Sequence, residues 1–313
     1  MMPAIRALVA GLWAVVRAPL LLAAVAIVTL LGAAPFAVLV NNSVQASLAA
    51  RPQVSLPSTE IDPEWWMEFR AHADGLAATF TPTIIGFAAP LDNLSSVLDG
   101  THRPLALAMP VALAGLLWVF LWGGLLDRFS RPGRTQFRAF VSAGMAHAPR
   151  LLLVAAAAAI VNLILYFTVH AALFGPVYEW LASRAGSERD AFFWRLGLYA
   201  IFGALLITVS VIADYARVHA VVGGVGSAHA AIAASMRFVR RHAASVFTLY
   251  LMTGALFAAL LIVYGATETI GGSRVGGWRA VAVGQAYILA RLAIRLTFGA
   301  SEVRLFQSLR ATE

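Results

Sequence analysis

Six long apolar stretches alternate with more polar segments along the chain. Each holds most of the ~20 apolar residues that a helix needs to cross roughly 30 Å of hydrocarbon. Because lipid offers no hydrogen-bond partners, each segment must satisfy its own backbone groups, which favours α-helices. The pattern predicts an all-α, polytopic membrane protein with a single membrane domain over residues 1–313. The predicted spans lie near residues 19–40, 105–126, 151–175, 196–213, 245–265 and 279–300.

The arginines are unevenly distributed among the segments that join these spans. If the N-terminus, the 127–150 and 214–243 segments and the tail from Arg291 share one side, that side holds 15 of 23 arginines but 4 of 15 acidic residues. The positive-inside rule assigns that side to the cytoplasm. We therefore expect a multi-pass protein of the bacterial inner membrane with both termini cytoplasmic. Tryptophans at the opposite edges are predicted outer-interface anchors: Trp65, Trp66, Trp180, Trp194 and Trp278.

Three segments share a layout in which a short amphipathic stretch with arginine leads directly into a span. They start at Ile5, Phe137 and Ala230, and the first predicts an interfacial helix over residues 1–18. This layout indicates three repeats of an interfacial helix plus a transmembrane hairpin. The alternative is that arginines and amphipathic turns are simply common at the ends of membrane spans.

The 41–104 segment is the one long loop, and it is predicted to be extracytoplasmic and acidic. Its 51–58 part is predicted to be extended, and a helix is predicted to begin at Pro63, with acidic residues in its first turn. The apolar 76–98 part is interrupted by proline and glycine. We expect it to be re-entrant or to lie flat on the outer face.

Composition excludes several kinds of chemistry. The chain has no cysteine and all of its basic residues are arginine, so thiolate sites, P-loop lysines and Schiff-base lysines are excluded. No catalytic motif is found, and the four histidines of the predicted cytoplasmic segments show no metal-ligand spacing: His147, His219, His229 and His242. We expect no enzymatic activity, no cofactor and no metal. The net charge of +8 reflects membrane topology, so nucleic acid is not an expected partner.

The sixth predicted span carries polar residues at unusual depth. Arg291 and Arg295 are four residues apart and share a helix face, with Gln285 above them. At ~1.5 Å per residue, Arg291 lies about 20 Å from the outer end of the span. These arginines could snorkel to lipid phosphates, form an ion pair with Asp127 or Asp214, or line a substrate site. Together with those carboxylates they form the candidate lipid- or partner-binding site.

Two spans end alike, in Asp127-Arg128 and in Asp214-Tyr215-Ala216-Arg217. These ends, the Arg291-Leu-Ala-Ile-Arg295 motif and the interfacial helices resemble uncharacterised bacterial six-helix membrane proteins. The layout is also similar to the membrane domain fused to some glycerophosphodiester phosphodiesterases. The resemblance covers most of the chain except the 41–104 loop and implies a six-helix fold. Since no catalytic domain is present, the resemblance does not imply phosphodiesterase activity.

The polar residues of the predicted spans are too few to indicate a hydrophilic path. The expected function is therefore a non-enzymatic membrane subunit with a structural or accessory role in a membrane complex. The alternative is a permease subunit of a transporter that handles a lipid-like substrate. An intramembrane enzyme is disfavoured, because no nucleophile with a base is found. Expected partners are membrane lipids and a protein partner or a second copy of the chain.

Overall fold

The computed structural model describes residues 2–49, 62–80, 88–101, 105–131, 133, 136–271 and 278–311. Throughout these ranges the chain forms helices and turns, and no strand occurs in them. The helices are α1 (Met2–Val16), α2 (Pro19–Ala49), α3 (Pro63–His72), α4 (Ala88–Leu98), α5 (Ala108–Ser130), α6 (Phe137–Ile164), α7 (Tyr178–Ala182), α8 (Glu188–Val221), α9 (Ala228–Arg241), α10 (Ala243–Gly271) and α11 (Trp278–Arg310). Short helical turns precede α5 and link α6 to α7, with a kink at Gly175.

Six helical segments in the described ranges are long and apolar enough to cross a membrane. They are Pro19–Ala49, Leu105–Ser130, Phe137–Ala182, Glu188–Val221, Ala243–Thr267 and Val281–Arg310. The prediction of an all-α, polytopic membrane protein is therefore confirmed. Most of their apolar surface is not covered by protein, as expected where lipid tails are the surrounding solvent.

The hydrophobic core is concentrated at one end of the bundle, which we call the Arg-rich end. It comprises α1, α9, the N-terminal parts of α6 and α10 and the C-terminal turns of α5, α8 and α11. Its largest fully buried side chains are Leu125, Leu126, Leu151, Tyr215, Leu249, Leu296 and Leu305. The helices of this end thus share one continuous core, while the middle of the bundle presents its side chains outward.

Helix α1 packs against the C-terminal part of α11 through a face of small residues. Gly11 sits at the crossing, where a methyl group would lie 2.8 Å from both the backbone nitrogen of Ser301 and the carbonyl oxygen of Thr297. Such a distance allows no side chain at position 11 unless the helices move apart. The opposite face of α1 exposes bulky apolar side chains, including Leu12 and Trp13, as an interfacial helix would.

The three predicted amphipathic segments do not all form separate helices. Helix α1 ends just before Arg17, and α9 ends at Arg241 before α10 begins. The 137–150 segment instead continues directly into its span as part of α6, which runs through Pro149. Two segments therefore have the predicted layout of a short helix followed by a span, and the second does not.

The opposite end of the bundle carries a small aromatic cluster built on α3. Asp62 caps this helix by accepting a hydrogen bond from the backbone nitrogen of Glu64, and Pro63 occupies its first turn. The predicted helix start at Pro63 is confirmed. Trp65 packs on Phe69 and donates from Nε1 to Ser47 of α2 at 3.1 Å. This bond and the packing fix α3 to the end of α2. The predicted extended segment 51–58 lies outside the described residues.

Residues 76–80 and helix α4 are the described parts of the apolar 76–98 segment. Helix α4 attaches to the same end of the bundle. The Tyr166 hydroxyl donates to the carbonyl oxygen of Val97 at 2.6 Å, and the Tyr199 hydroxyl donates to Asp99. Hydrogen bonds from Tyr199 and from Ser95 hold the pKa of Asp99 below its usual value. The carboxylate is therefore charged at neutral pH, and the contact with α8 is charge-assisted.

Candidate functional site

A cavity of about 190 Å³ lies at the Arg-rich end, between α5, α8 and α11. Aromatic and aliphatic side chains form part of its wall, and four charged side chains form the rest. Its lining residues are Trp122, Leu126, Asp214, Arg217, Arg295, Phe298 and Glu302. Charges are costly to bury, so their concentration in one cavity makes this the candidate functional site.

The α8 wall of the cavity carries an ion pair. Asp214 and Arg217 are three residues apart, which places both on one face of the helix, and their side chains are in contact. Tyr250 of α10 donates its hydroxyl proton to Asp214, and the same hydroxyl oxygen lies 3.4 Å from Glu302 of α11. This network links α8, α10 and α11 through charged or polar groups.

The α11 wall carries a guanidinium held by aromatic rings. The guanidinium carbon of Arg295 lies 3.4 Å from the ring centroid of Trp118, a close cation–π contact. Trp122, one turn further along α5, is near both arginines of the cavity. Its ring centroid is 6.0 Å from Arg295 and 5.5 Å from Arg217. The two tryptophans thus attach α5 to the charged cluster.

A glycine makes room for this aromatic contact. A methyl group at Gly299 would lie 2.6 Å from Cη2 of Trp122. The six-membered ring of Trp122 therefore fills the space where a side chain at position 299 would stand. Only glycine at this position lets α5 and α11 approach closely enough for Trp122 to line the cavity.

The charged groups differ strongly in exposure. Glu302 is 4% exposed, and Asp214 is also largely covered by protein. Arg295 and Arg291, one turn apart on α11, are both exposed. The carboxylates are therefore largely buried, whereas Arg295 lies at the exposed edge of the cavity.

The carboxylates proposed from the sequence as partners of Arg291 are occupied by other arginines. Asp214 pairs with Arg217, and Asp127 pairs with Arg131 at 2.6 Å. Among the described residues, the structure thus does not show an ion pair from Arg291 to either carboxylate. The guanidinium carbon of Arg291 instead lies 5.9 Å from the Phe257 ring.

The other sequence-derived candidates lie away from the cavity. Gln285 is exposed on α11, more than two turns before Arg295. Asp127 is buried near the end of α5, but it does not line the cavity.

The tryptophans proposed as anchors also lie elsewhere. Trp180, Trp194 and Trp278 are exposed, with Trp278 at 76%, and Trp66 is half-buried. Trp65 differs, since it is 2% exposed and lies inside the aromatic cluster of α3 rather than on the surface.

Sequence reasoning missed Glu302, Tyr250 and the two tryptophans of α5 as site residues. Glu302 follows Arg295 by seven residues, which is about two helical turns, so the two share a face of α11. That spacing is a readable signal, but Glu302 falls in a stretch assigned to the polar tail. No sequence pattern links Tyr250 or Trp118 to the site, because each comes from a different helix.

Several polar atoms of the Arg-rich end are buried without a hydrogen-bond partner among the described residues. They are Nε1 of Trp122, the hydroxyl of Tyr215 and Nε2 of His219. An unpaired buried polar group costs roughly 1–3 kcal/mol, so this end of the bundle tolerates destabilising polarity. Within the described ranges, no three His, Asp or Glu side chains are grouped so that they could hold a metal ion.

Comparisons of the chain with protein-family models, with curated proteins and with solved structures found no match.

Proposed function

We propose that the chain is a non-enzymatic integral membrane subunit with a structural or accessory role in a membrane complex. The observation that supports this most is the network of Asp214, Arg217, Tyr250 and Glu302, which ties helices together at one end of the bundle. Its polar groups satisfy one another across helices, as expected of groups that hold a bundle together. With the aromatic contacts of α5, four helices are joined.

The hydroxyl groups of the spans support the same proposal. Thr29, Thr208, Ser210 and Thr253 each donate to the carbonyl oxygen four residues earlier in their own helix. Hydroxyls bound in this way are satisfied within one helix and offer little to a polar substrate. The described spans thus carry apolar surface toward lipid or a partner rather than a row of polar groups.

The proposed setting is the bacterial inner membrane, with both termini in the cytoplasm. The excess of arginine at the Arg-rich end favours this orientation by the positive-inside rule. The exposed tryptophans Trp180, Trp194 and Trp278 lie at the opposite end, where the outer interface would be. The exposed face of α1 would then lie against the cytoplasmic leaflet.

Extraction from the native membrane in mild detergent tests the proposed role. The tagged chain is expected to elute in an assembly much larger than its own 33.3 kDa plus micelle. Because Arg291 is exposed and pairs with neither Asp127 nor Asp214, Arg291→Leu is expected to insert normally but to lose the partner. Arg279→Leu, at the opposite end of the same helix, is the matched control. A chain that elutes alone under every mild condition would overturn the proposal.

A permease subunit that handles a lipid-like substrate is the second candidate. Helix α9 supports it, because this short helix between spans exposes Met236, Arg237 and Arg240 while its other face packs on α8. Such a helix would suit the docking of a cytoplasmic ATPase. Recovery of a stable ATPase partner, with ATP hydrolysis that depends on the chain, would favour the permease over the accessory subunit.

A further inference from the structure

We propose that the cavity at the Arg-rich end binds the phosphate group of an anionic membrane lipid, with Arg295 as its principal ligand. Lipid binding at this site goes beyond the proposed subunit role and does not depend on it. A chain without protein partners could still bind the lipid, and a subunit of a complex could lack the lipid.

The charges of Asp214 and Arg295 are compensated differently. Asp214 is neutralised by Arg217 and also accepts from Tyr250. In the part of the chain that the structure describes, neither recorded ion pair of this end includes Arg295. A guanidinium near hydrocarbon is costly unless an anion or water compensates its charge. The position therefore calls for an anion from outside the chain.

The Trp118 ring orients the guanidinium of Arg295. Trp118 covers one face of Arg295 at 3.4 Å, which restrains the side chain without using its N–H groups. A guanidinium presents these donors in its plane as a rigid fork that matches two oxygens of a phosphate. The stacking thus holds Arg295 ready for bidentate binding.

The cavity beside Arg295 has room for a group larger than one water molecule. A volume of about 190 Å³ is several times the ~30 Å³ that one water occupies in the liquid. Trp122 and Phe298 give this space apolar walls, and Arg217 adds a second guanidinium. Glu302, the other lining carboxylate, lies near Arg217 and Tyr250. It is buried two helical turns beyond Arg295, away from the exposed edge.

The position of Arg295 along α11 indicates its depth in the membrane. Arg295 lies roughly 25 Å along α11 from Trp278 at ~1.5 Å per residue. A hydrocarbon core is about 30 Å thick, so the guanidinium lies close to the inner boundary, within reach of the lipid phosphates. Arg291, one turn deeper and also exposed, adds positive charge on the same approach. The acyl chains of such a lipid would lie along the apolar surface of the bundle.

Native mass spectrometry of the purified full chain tests the proposal. Wild type is titrated in detergent with dioleoyl phosphatidylglycerol and, separately, with dioleoyl phosphatidylcholine. We expect wild type to bind one phosphatidylglycerol at least about 10-fold more tightly than phosphatidylcholine, because the phosphate of phosphatidylcholine is already compensated by its own choline cation, whereas that of phosphatidylglycerol is not. Arg295→Gln is expected to weaken phosphatidylglycerol binding by roughly 10- to 100-fold. Arg279→Gln is expected to bind like wild type.

Two results of the lipid titrations would overturn the proposal. Equal affinity of wild type for the two lipids would do so regardless of how any variant folds. Unchanged phosphatidylglycerol affinity in a folded Arg295→Gln would exclude this residue as the ligand. A competition arm with excess inorganic phosphate separates the sources of the phosphate group. We expect inorganic phosphate not to displace the lipid. Displacement of the lipid from wild type but not from Arg295→Gln would assign the cavity to free phosphate instead of lipid.

Discussion

Two tyrosines at the Arg-rich end provide a matched test of the hydrogen-bond network. The Tyr250 hydroxyl donates to Asp214 and lies 3.4 Å from Glu302. The Tyr215 hydroxyl is buried and has no hydrogen-bond partner among the described residues. Replacement of either residue by phenylalanine removes one oxygen atom and leaves the ring in place. The first variant therefore loses a hydroxyl that makes a hydrogen bond, and the second loses a hydroxyl that makes none among the described residues.

The expected magnitudes follow from what each hydroxyl contacts. A hydrogen bond to a charged group contributes ~1.5–3 kcal/mol. Bonds between transmembrane helices contribute about 0.6 kcal/mol on average and ~1.7 at most. Because Asp214 is a carboxylate, we expect Tyr250→Phe to lower the free energy of unfolding by about 1.5 kcal/mol. The partner Arg217 still compensates the carboxylate, so a larger loss is not expected.

The Tyr215 hydroxyl should behave in the opposite way. A buried hydroxyl without a partner costs ~1–3 kcal/mol, so its removal relieves a penalty. We expect Tyr215→Phe to leave the free energy of unfolding unchanged or to raise it. The difference between the two variants should thus be at least about 1.5 kcal/mol.

Equilibrium unfolding in mixed micelles of mild detergent and dodecyl sulfate measures this difference, with helix content followed by circular dichroism. Both variants and wild type are compared under one lipid and detergent composition, because bound lipid also shifts apparent stability. Loss of equal stability in the two variants would refute the assignment of the hydrogen bond to Tyr250. A stabilised Tyr250→Phe would refute the network itself.

Two further matched pairs test the packing and the topology. Gly11→Ala should lower stability by ~1–3 kcal/mol, because the added methyl group overlaps α11. Gly115→Ala should be neutral or slightly stabilising, because its methyl group would have no described atom of another helix within 4 Å. Thermal unfolding in detergent measures both, and equal behaviour would mean that α1 does not cross α11 closely. Since the chain has no cysteine, Ser183→Cys should react with an impermeant maleimide on intact cells, whereas Ser308→Cys should react only after permeabilisation. The reverse labelling pattern would invert the proposed orientation.

The fold could be predicted from the sequence because its main signal is local. A helix in lipid must be apolar over its own length, so each span can be predicted from its own segment of the sequence. The start of α3 is equally local, since Asp62 caps its own helix and Pro63 occupies the first turn. The course of α6 was not predictable in this way. It runs through Pro149 while Gly144 packs closely against Gly123 of α5, and a contact between helices is not visible in either segment alone.

The site was only partly predictable for the same reason. Asp214 and Arg217 are readable as a pair because they are one turn apart on one helix. Arg295 stands out because arginine is rare in a span, but its stacking partner Trp118 comes from α5. Sequence reasoning searched for a carboxylate partner for the arginines of α11, whereas the structure supplies aromatic rings. Opposite charges are an obvious pattern to look for, and cation–π contacts between distant segments leave no comparable pattern.

The short helices explain how a charged network persists in such an apolar chain. A charge at the bilayer centre costs several kcal/mol, so a network surrounded by lipid would be strongly destabilising. Here α1 packs on the part of α11 that contains Glu302, and α9 packs on the part of α8 that contains Asp214. Protein rather than lipid therefore surrounds the carboxylates, while Arg295 lies at the exposed edge of the cavity. Helices α1 and α9, which resemble surface additions in the sequence, are in this sense part of the site.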